Sequence, residues 1–68
     1  MTHKEYDIEL HRTTDGRWVG NIRRLDGRTM IYNGNERPEL QTFEAPSENY
    51  AQKLAIGLID EGRLGKGR

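Results

Sequence analysis

Five side chains near the start of the chain have the types that bind metal ions, at a spacing that could bring them together. Residues two apart on a β-strand share one face and lie about 7 Å apart. Histidine and carboxylate groups at that spacing can chelate one ion. The rest of the sequence supplies no evident further ligands, so we interpret the set as a solvated strand face without a metal site. Its members are His3, Glu5, Asp7, Glu9 and His11.

Basic residues near Trp18 and Tyr32 form a second set. Arginines on a sheet can hold phosphates while aromatic rings stack on bases, and a basic tail would add electrostatic attraction for a polyanion. Eleven basic residues are balanced by eleven acidic ones, however, and nucleic-acid binders usually carry a net positive charge. Nucleic-acid binding is therefore our second hypothesis. Its candidate contacts are Arg17, Arg23, Arg24, Arg28, Arg63, Lys66 and Arg68.

Catalytic and cofactor signatures are missing from the sequence. Ser47 has no evident histidine partner, and its position predicts a helix cap. The glycines lack phosphate-loop spacing. Cysteine is absent, which excludes disulfides and thiolate metal sites. We predict a protein that is not an enzyme and binds no cofactor.

Size and composition indicate one small domain. A chain of 68 residues buries only about 60% of the surface that it exposes when unfolded, so it depends on a well-packed core or a partner subunit. No apolar run is long enough to span a membrane, and the first residues do not resemble a signal peptide. We predict a small soluble protein of the bacterial cytoplasm.

Alternating polarity predicts two paired strands at the start of the chain. A two-residue turn between them would pair apolar with polar residues. A three-residue loop at 14–16 instead places Ile8 opposite Ile22 and Leu10 opposite Gly20, with Gly16 in a left-handed conformation. We therefore predict the three-residue loop. The strands are 6–10 and 17–24.

The segment after the second strand leaves two registers open. A two-residue turn at Asp26-Gly27 would pair Ile22 with Ile31, whereas a three-residue loop would pair it with Met30. Residues 33–38 read as a loop that ends at a proline. A last strand is predicted at 39–44, with Leu40 or Phe43 facing inward.

Helical periodicity follows from Ser47 to Glu61, with one apolar face. Ser47 is suited to cap the helix and Gly62 to end it. We predict an α+β fold: a three- or four-stranded antiparallel meander sheet with this helix packed on one face. The domain covers 1–62, and 63–68 form a flexible basic tail. The predicted core comprises Tyr6, Ile8, Leu10, Trp18, Ile22, Phe43, Ala51, Leu54 and Leu58.

Four short segments carry a resemblance to known proteins; they are Tyr6 to Leu10, Asp15 to Trp18, Thr42 to Ala45 and Ala55 to Asp60. In these the chain resembles short uncharacterised proteobacterial proteins with a β-β-β-α core and, more distantly, HicB-like antitoxin domains. The latter resemblance implies neutralisation of a small toxin ribonuclease. From the residues themselves we favour a non-catalytic interaction module that binds another protein or its own copy, because an open sheet leaves edges able to pair.

Overall fold

The computed structural model describes residues 1–67 as seven short strands and one helix. The antiparallel strands with one helix packed against them confirm the predicted α+β class. The elements are β1 (Thr2–His3), β2 (Tyr6–Arg12), β3 (Trp18–Arg24), β4 (Met30–Tyr32), β5 (Asn35–Arg37), β6 (Leu40–Gln41), α1 (Glu48–Asp60) and β7 (Gly65–Lys66).

The main sheet has four strands in the order β1-β2-β3-β6. Ile8 lies opposite Ile22 and Leu10 opposite Gly20, which confirms the predicted register of the first hairpin. Its three-residue loop ends at Gly16, which has a φ of +84° and so adopts the left-handed conformation that the loop requires. The two apolar faces consequently align on the side that the helix covers.

The predicted pairing of β3 with the segment that follows it is wrong. The outer neighbour of β3 is β6, which places Leu40 opposite Ile22, so neither register proposed for a second hairpin occurs. Met30 is fully buried and joins the core from a different sheet. Both Leu40 and Met30 are apolar, so the packing of the whole domain, and not the local pattern, decides which of them pairs with Ile22.

A second, three-stranded sheet has the order β5-β4-β7. The turn that joins β4 to β5 has positive φ at both Asn33 (+52°) and Gly34 (+79°), as a tight two-residue hairpin turn requires. Residues 33–38, expected to be a loop, therefore contain β5.

Part of the predicted tail completes that second sheet. Gly65–Lys66 pairs with β4, and Gly67 donates a backbone hydrogen bond to Thr29 (3.0 Å). The flexibility of 63–68 and the boundary at residue 62 stay predictions, and Arg68 lies outside the described residues.

The helix has the predicted caps at both ends. The hydroxyl of Ser47 accepts a hydrogen bond from the backbone N–H of Tyr50 (3.2 Å). At the other end Gly62, with a φ of +71°, donates to Ile59, and Arg63 donates to Leu58. These two bonds form a Schellman motif, which satisfies the last free carbonyls of the helix. Across the described residues, no helix has the length and apolar character needed to cross a membrane.

Small residues let the helix approach the main sheet closely. Ala51 and Ala55 are fully buried one turn apart, and they pack over Gly20 of β3. A Cβ atom added at Gly20 would lie 3.3 Å from the Cβ of Ala55, which is closer than most such contacts. Ile59 continues the buried row toward the end of the helix. The close contact therefore depends on a glycine facing two alanines.

Five residues of the predicted core are not fully buried, and Phe43 departs most from the prediction. Phe43 was expected inside, but its exposed fraction is 84%. Of the two residues proposed to face inward from the last strand, Leu40 does so, with an exposed fraction of 7%. Four other residues of the predicted core are only partly buried: Leu10, Trp18, Leu54 and Leu58. The buried apolar residues are Tyr6, Ile8, Val19, Ile22, Met30, Leu40, Ala45, Ala51, Ala55 and Ile59.

Candidate protein-binding groove

The row of metal-type side chains is interrupted by a chain reversal. A tight turn at Lys4 and Glu5 makes His3 pair with Tyr6, so His3 leaves the predicted strand face. Its Nε2 atom lies 2.8 Å from the Asp60 carboxylate at the end of α1. Among residues 1–67, no group of three or more His, Cys, Asp or Glu side chains is arranged to hold a metal ion.

Asp60 ties the first turn of the chain to the end of the helix. The Lys4 ammonium (2.7 Å) and then His3 (2.8 Å) stabilise its charged form, so the pKa of Asp60 lies below its ordinary value of 3.8. A carboxyl group whose pKa is lower in the folded than in the unfolded state stabilises the fold. This stabilisation is fully present above the pKa of the unfolded state and is lost as the pH falls through the pKa of the folded state.

The variant Asp60→Asn is therefore expected to lose less stability than the wild-type protein as the pH falls from about 5 through the lowered pKa of Asp60. Urea unfolding at a series of pH values measures this difference. Parallel losses in the two proteins would contradict the assigned role of Asp60.

The structure distributes the candidate nucleic-acid contacts over several surfaces. Arg23 lies on the open face of the main sheet, with its Nη2 atom 3.2 Å from Glu9 and 3.9 Å from Asp7. Arg17 pairs with Asp15 (3.7 Å) and Arg63 with Glu61 (3.0 Å). Arg28 lies in an exposed turn and Lys66 on β7, while Arg68 lies outside the described residues.

The open face of the main sheet is acidic. Glu39 accepts a hydrogen bond there from Asn21 (3.0 Å), and Arg23 lies beside Asp7 and Glu9. The Met1 ammonium lies 3.6 Å from Asp7, so these three carboxylates exceed the two cationic groups near them, and the excess negative charge disfavours phosphate. Nucleic-acid binding through these arginines stays a prediction, and this face gives it no support.

Arg24 is buried on the covered face of the main sheet, opposite Tyr6. Its Nη2 atom lies 2.6 Å from Asp26, but Nε and Nη1 have no hydrogen-bond partner among the described residues. The Arg28 backbone N–H and then Arg24 keep the pKa of Asp26 below its ordinary value. A buried donor without a partner costs about 1–3 kcal/mol.

Replacing Arg24 by methionine is expected to raise the free energy of unfolding by about 1–2 kcal/mol, because the two unpaired donors disappear and the apolar volume is kept. The matched control is Arg23→Met on the open face, expected to change stability by less than about 0.5 kcal/mol. Urea denaturation followed by Trp18 fluorescence compares them. A loss of stability in Arg24→Met would show that the buried guanidinium is favourable.

The outer strand of the main sheet carries a β-bulge. The N–H of Thr42 donates to Gly20 (2.9 Å) in the regular register of β6. The register then shifts by one residue, because Ala45 exchanges hydrogen bonds of 2.7 and 2.9 Å with Trp18. A bulge re-aims side chains away from the regular alternation of a strand. The two bulged residues are Phe43 and Glu44.

A groove lies between this bulged edge and the helix, and we call it the Phe43 groove. It encloses about 300 Å³, at the small end of the range for binding pockets. Leu40 and Leu58 give it an apolar floor, and Phe43 is the most exposed large apolar side chain described. Its lining includes Leu40, Phe43, Lys53, Gly57, Leu58, Glu61 and Arg63.

Charges of both signs flank the Phe43 groove. Lys53 and Glu61 lie on the same row of α1, two turns apart, with Gly57 midway between them. The groove therefore combines apolar contact with the positive charge of Lys53 and with the Glu61–Arg63 ion pair (3.0 Å). This chemistry suits the binding of an apolar side chain from a protein segment.

Sequence reasoning missed this groove because it placed Phe43 in the core. The bulge has no local sequence signature that we recognise. A scan against protein-family models, a search of curated proteins and a search of solved structures each found no match. The resemblance to proteobacterial β-β-β-α proteins and to HicB-like antitoxins therefore stays a prediction.

Proposed function

We propose that this protein is a non-catalytic interaction module that binds protein through the Phe43 groove. The observation that carries the proposal is the exposed fraction of Phe43, 84%, beside an apolar groove. Exposing a phenylalanine forgoes about 1.5–3 kcal/mol of burial free energy, which a partner can recover by covering it. Aromatic anchors in pockets commonly dominate the energy of protein interfaces.

The binding mode is insertion of side chains, not addition of a strand to the sheet. The edge strand β6 has two residues, is followed by a bulge, and lies between Pro38 and Pro46. Short length, bulges and proline are the features by which sheets avoid pairing at their edges. At this edge of the main sheet we therefore favour the groove between strand and helix over strand addition, and edge pairing elsewhere stays a prediction.

Selection from a phage-displayed library of random peptides tests the proposal without a known partner. The protein is immobilised sparsely, so that two copies cannot meet and cover the groove. We expect selected peptides to contain aromatic or aliphatic residues and to bind the Phe43→Ser variant at least about tenfold more weakly.

The control for that selection is Leu25→Ser, which removes another exposed apolar side chain at a different place (exposed fraction 55%). Its affinity for the selected peptides is expected to stay within about twofold of the wild-type value. Failure to select any peptide, or equal losses in the two variants, would overturn the proposed function.

A further inference from the structure

The apolar surface of the Phe43 groove continues along the helix. Tyr50, Leu54 and Leu58 follow each other at intervals of four residues, so they form one row on α1, which we call the Tyr50 row. Leu54 and Leu58 line the groove, and Tyr50, with an exposed fraction of 52%, lies one turn before them. With a rise of about 1.5 Å per residue, the row extends about 12 Å along the helix.

Lys53 is the charged residue of the groove that has no partner among residues 1–67. The two other charged residues of the lining, Glu61 and Arg63, pair with each other at 3.0 Å. The Lys53 ammonium forms no ion pair or hydrogen bond within the described part of the chain. None of the residues three or four positions away on the helix is acidic, so none can pair with it along α1. The charges that line the groove therefore sum to one positive charge.

The hydroxyl groups of the lining add a free donor but no free carboxylate. The Thr42 hydroxyl accepts from the Gly20 N–H (2.8 Å) and donates to the Phe43 carbonyl (3.1 Å). The Tyr32 hydroxyl has no hydrogen-bond partner among the described residues, and it can donate to a carboxylate. A purely apolar occupant would cover the Lys53 ammonium without pairing it, which is unfavourable. An occupant that carries a carboxylate is therefore favoured over a neutral or a basic one.

Lys53 lies beside the middle of the Tyr50 row. Along the helix axis it is about 4.5 Å from Tyr50 and about 7.5 Å from Leu58. A segment that covers the row brings apolar side chains to both sides of Lys53, so its carboxylate must lie between them. A terminal carboxylate would leave one part of the row uncovered. An aspartate or glutamate side chain meets this requirement.

We infer that the occupant of the Phe43 groove is an acidic segment of another protein, in which an aspartate or glutamate between apolar residues pairs with Lys53. The inference rests on the proposed function and names the chemistry of the partner. Phe43, Leu54 and Leu58 supply the apolar contact. Lys53 discriminates among apolar segments, because electrostatic complementarity contributes chiefly to specificity and to the rate of association.

Parallel selections from the random-peptide library test the inference. The wild-type protein and Lys53→Glu are immobilised in the same way. We expect the wild-type protein to enrich aspartate or glutamate between apolar positions, relative to the unselected library, and Lys53→Glu to enrich lysine or arginine there instead. The matched control is Lys66→Glu, which makes the same change of charge on β7, outside the groove. It is expected to select acidic peptides, as the wild-type protein does.

A double-mutant cycle with one peptide selected on the wild-type protein measures the pairing. Replacing its carboxylate by the matching amide is expected to weaken binding to the wild-type protein at least about threefold, and to change binding to Lys53→Gln by less than about twofold. The unaltered peptide is expected to bind Lys53→Glu at least about tenfold more weakly, and Lys66→Glu within about twofold of the wild-type value.

The variant Tyr50→Ser tests how far the contact extends. It keeps the backbone N–H that donates to Ser47, so the helix cap is retained. We expect the selected peptides to bind this variant at least about threefold more weakly than the wild-type protein. Circular dichroism verifies that all variants are folded.

Three results would overturn the inference and leave the proposed function standing. They are peptides that require Phe43 but are no richer in carboxylates than the library, equal losses in Lys53→Glu and Lys66→Glu, and absence of coupling in the cycle. Full binding by Tyr50→Ser would overturn the placement of the carboxylate between apolar residues. Failure to select any peptide that requires Phe43 would overturn both proposals together.

Discussion

Replacing Ile22 by alanine is expected to lower the free energy of unfolding by about 2–5 kcal/mol, because a fully buried side chain leaves a cavity. Ile22 lies between Ile8 on β2 and Leu40 on β6, under the helix. A domain of this length has a total stability of roughly 3–10 kcal/mol, so much of the population is expected to unfold.

The control for Ile22 is the same substitution at Ile31, which lies on β4 with an exposed fraction of 37%. Its loss of stability is expected to be below about 1 kcal/mol. Urea denaturation measures both variants. Equal losses at the two positions would show that the main sheet does not hold the core.

Trp18 is only partly buried. Its truncation is therefore expected to lower the free energy of unfolding by less than about 3–5 kcal/mol, the cost for a fully buried aromatic side chain.

Replacing Gly20 by valine is expected to lower the free energy of unfolding by about 2–3 kcal/mol, because it overfills the contact between helix and sheet. The added Cβ alone would lie 3.3 Å from the Cβ of Ala55 and 3.4 Å from the carbonyl oxygen of Ala51, and the two branches of valine need more room. Both neighbours belong to the helix, so relief requires the whole helix to move outward.

The variant Gly57→Ala, on the helix, is expected to change the free energy of unfolding in the opposite direction. Space is available there, and alanine favours helix over glycine, so the free energy of unfolding is expected to rise by about 0.5–1 kcal/mol. Urea denaturation at low protein concentration compares the two variants without a contribution from association. A neutral Gly20→Val would mean that the helix can move away from the sheet at little cost.

The same helix–sheet packing positions the candidate groove. Ala51, Ala55 and Ile59 hold α1 against the sheet by one row of side chains. The next row on the side of β6, Leu54 and Leu58, consequently lines the groove beside Phe43. The position of the helix on the sheet therefore determines whether Phe43 has an apolar groove beside it. The stability of the fold and the proposed interaction consequently depend on the same packing.

The turn between β4 and β5 has a clear signal in the sequence. Asn33-Gly34 is the strongest short signal for a tight hairpin turn, and the structure places a two-residue turn there between β4 and β5. The segment was expected to be a loop because the proline at position 38 excludes a central strand. It does not exclude a three-residue strand that ends before it.

Features that depend on neighbouring residues follow from local patterns in the sequence. The first hairpin follows from strict alternation and from one glycine that can take positive φ, and the helix follows from its apolar period, its serine cap and Gly62. Each of these involves backbone geometry and side chains within a few positions, so a local pattern carries enough information.

Features that depend on distant contacts are set by the packing of the whole domain. Leu40 and Met30 are both suitable neighbours for Ile22, and the choice between them rests on how the second sheet and the helix fill the remaining space. The bulge that exposes Phe43 follows from that choice, since it arises where β3 pairs with the segment after β6. The hydrophobic pattern of the sequence shows which residues are suited to burial. The packing of one small core determines which of them remain exposed.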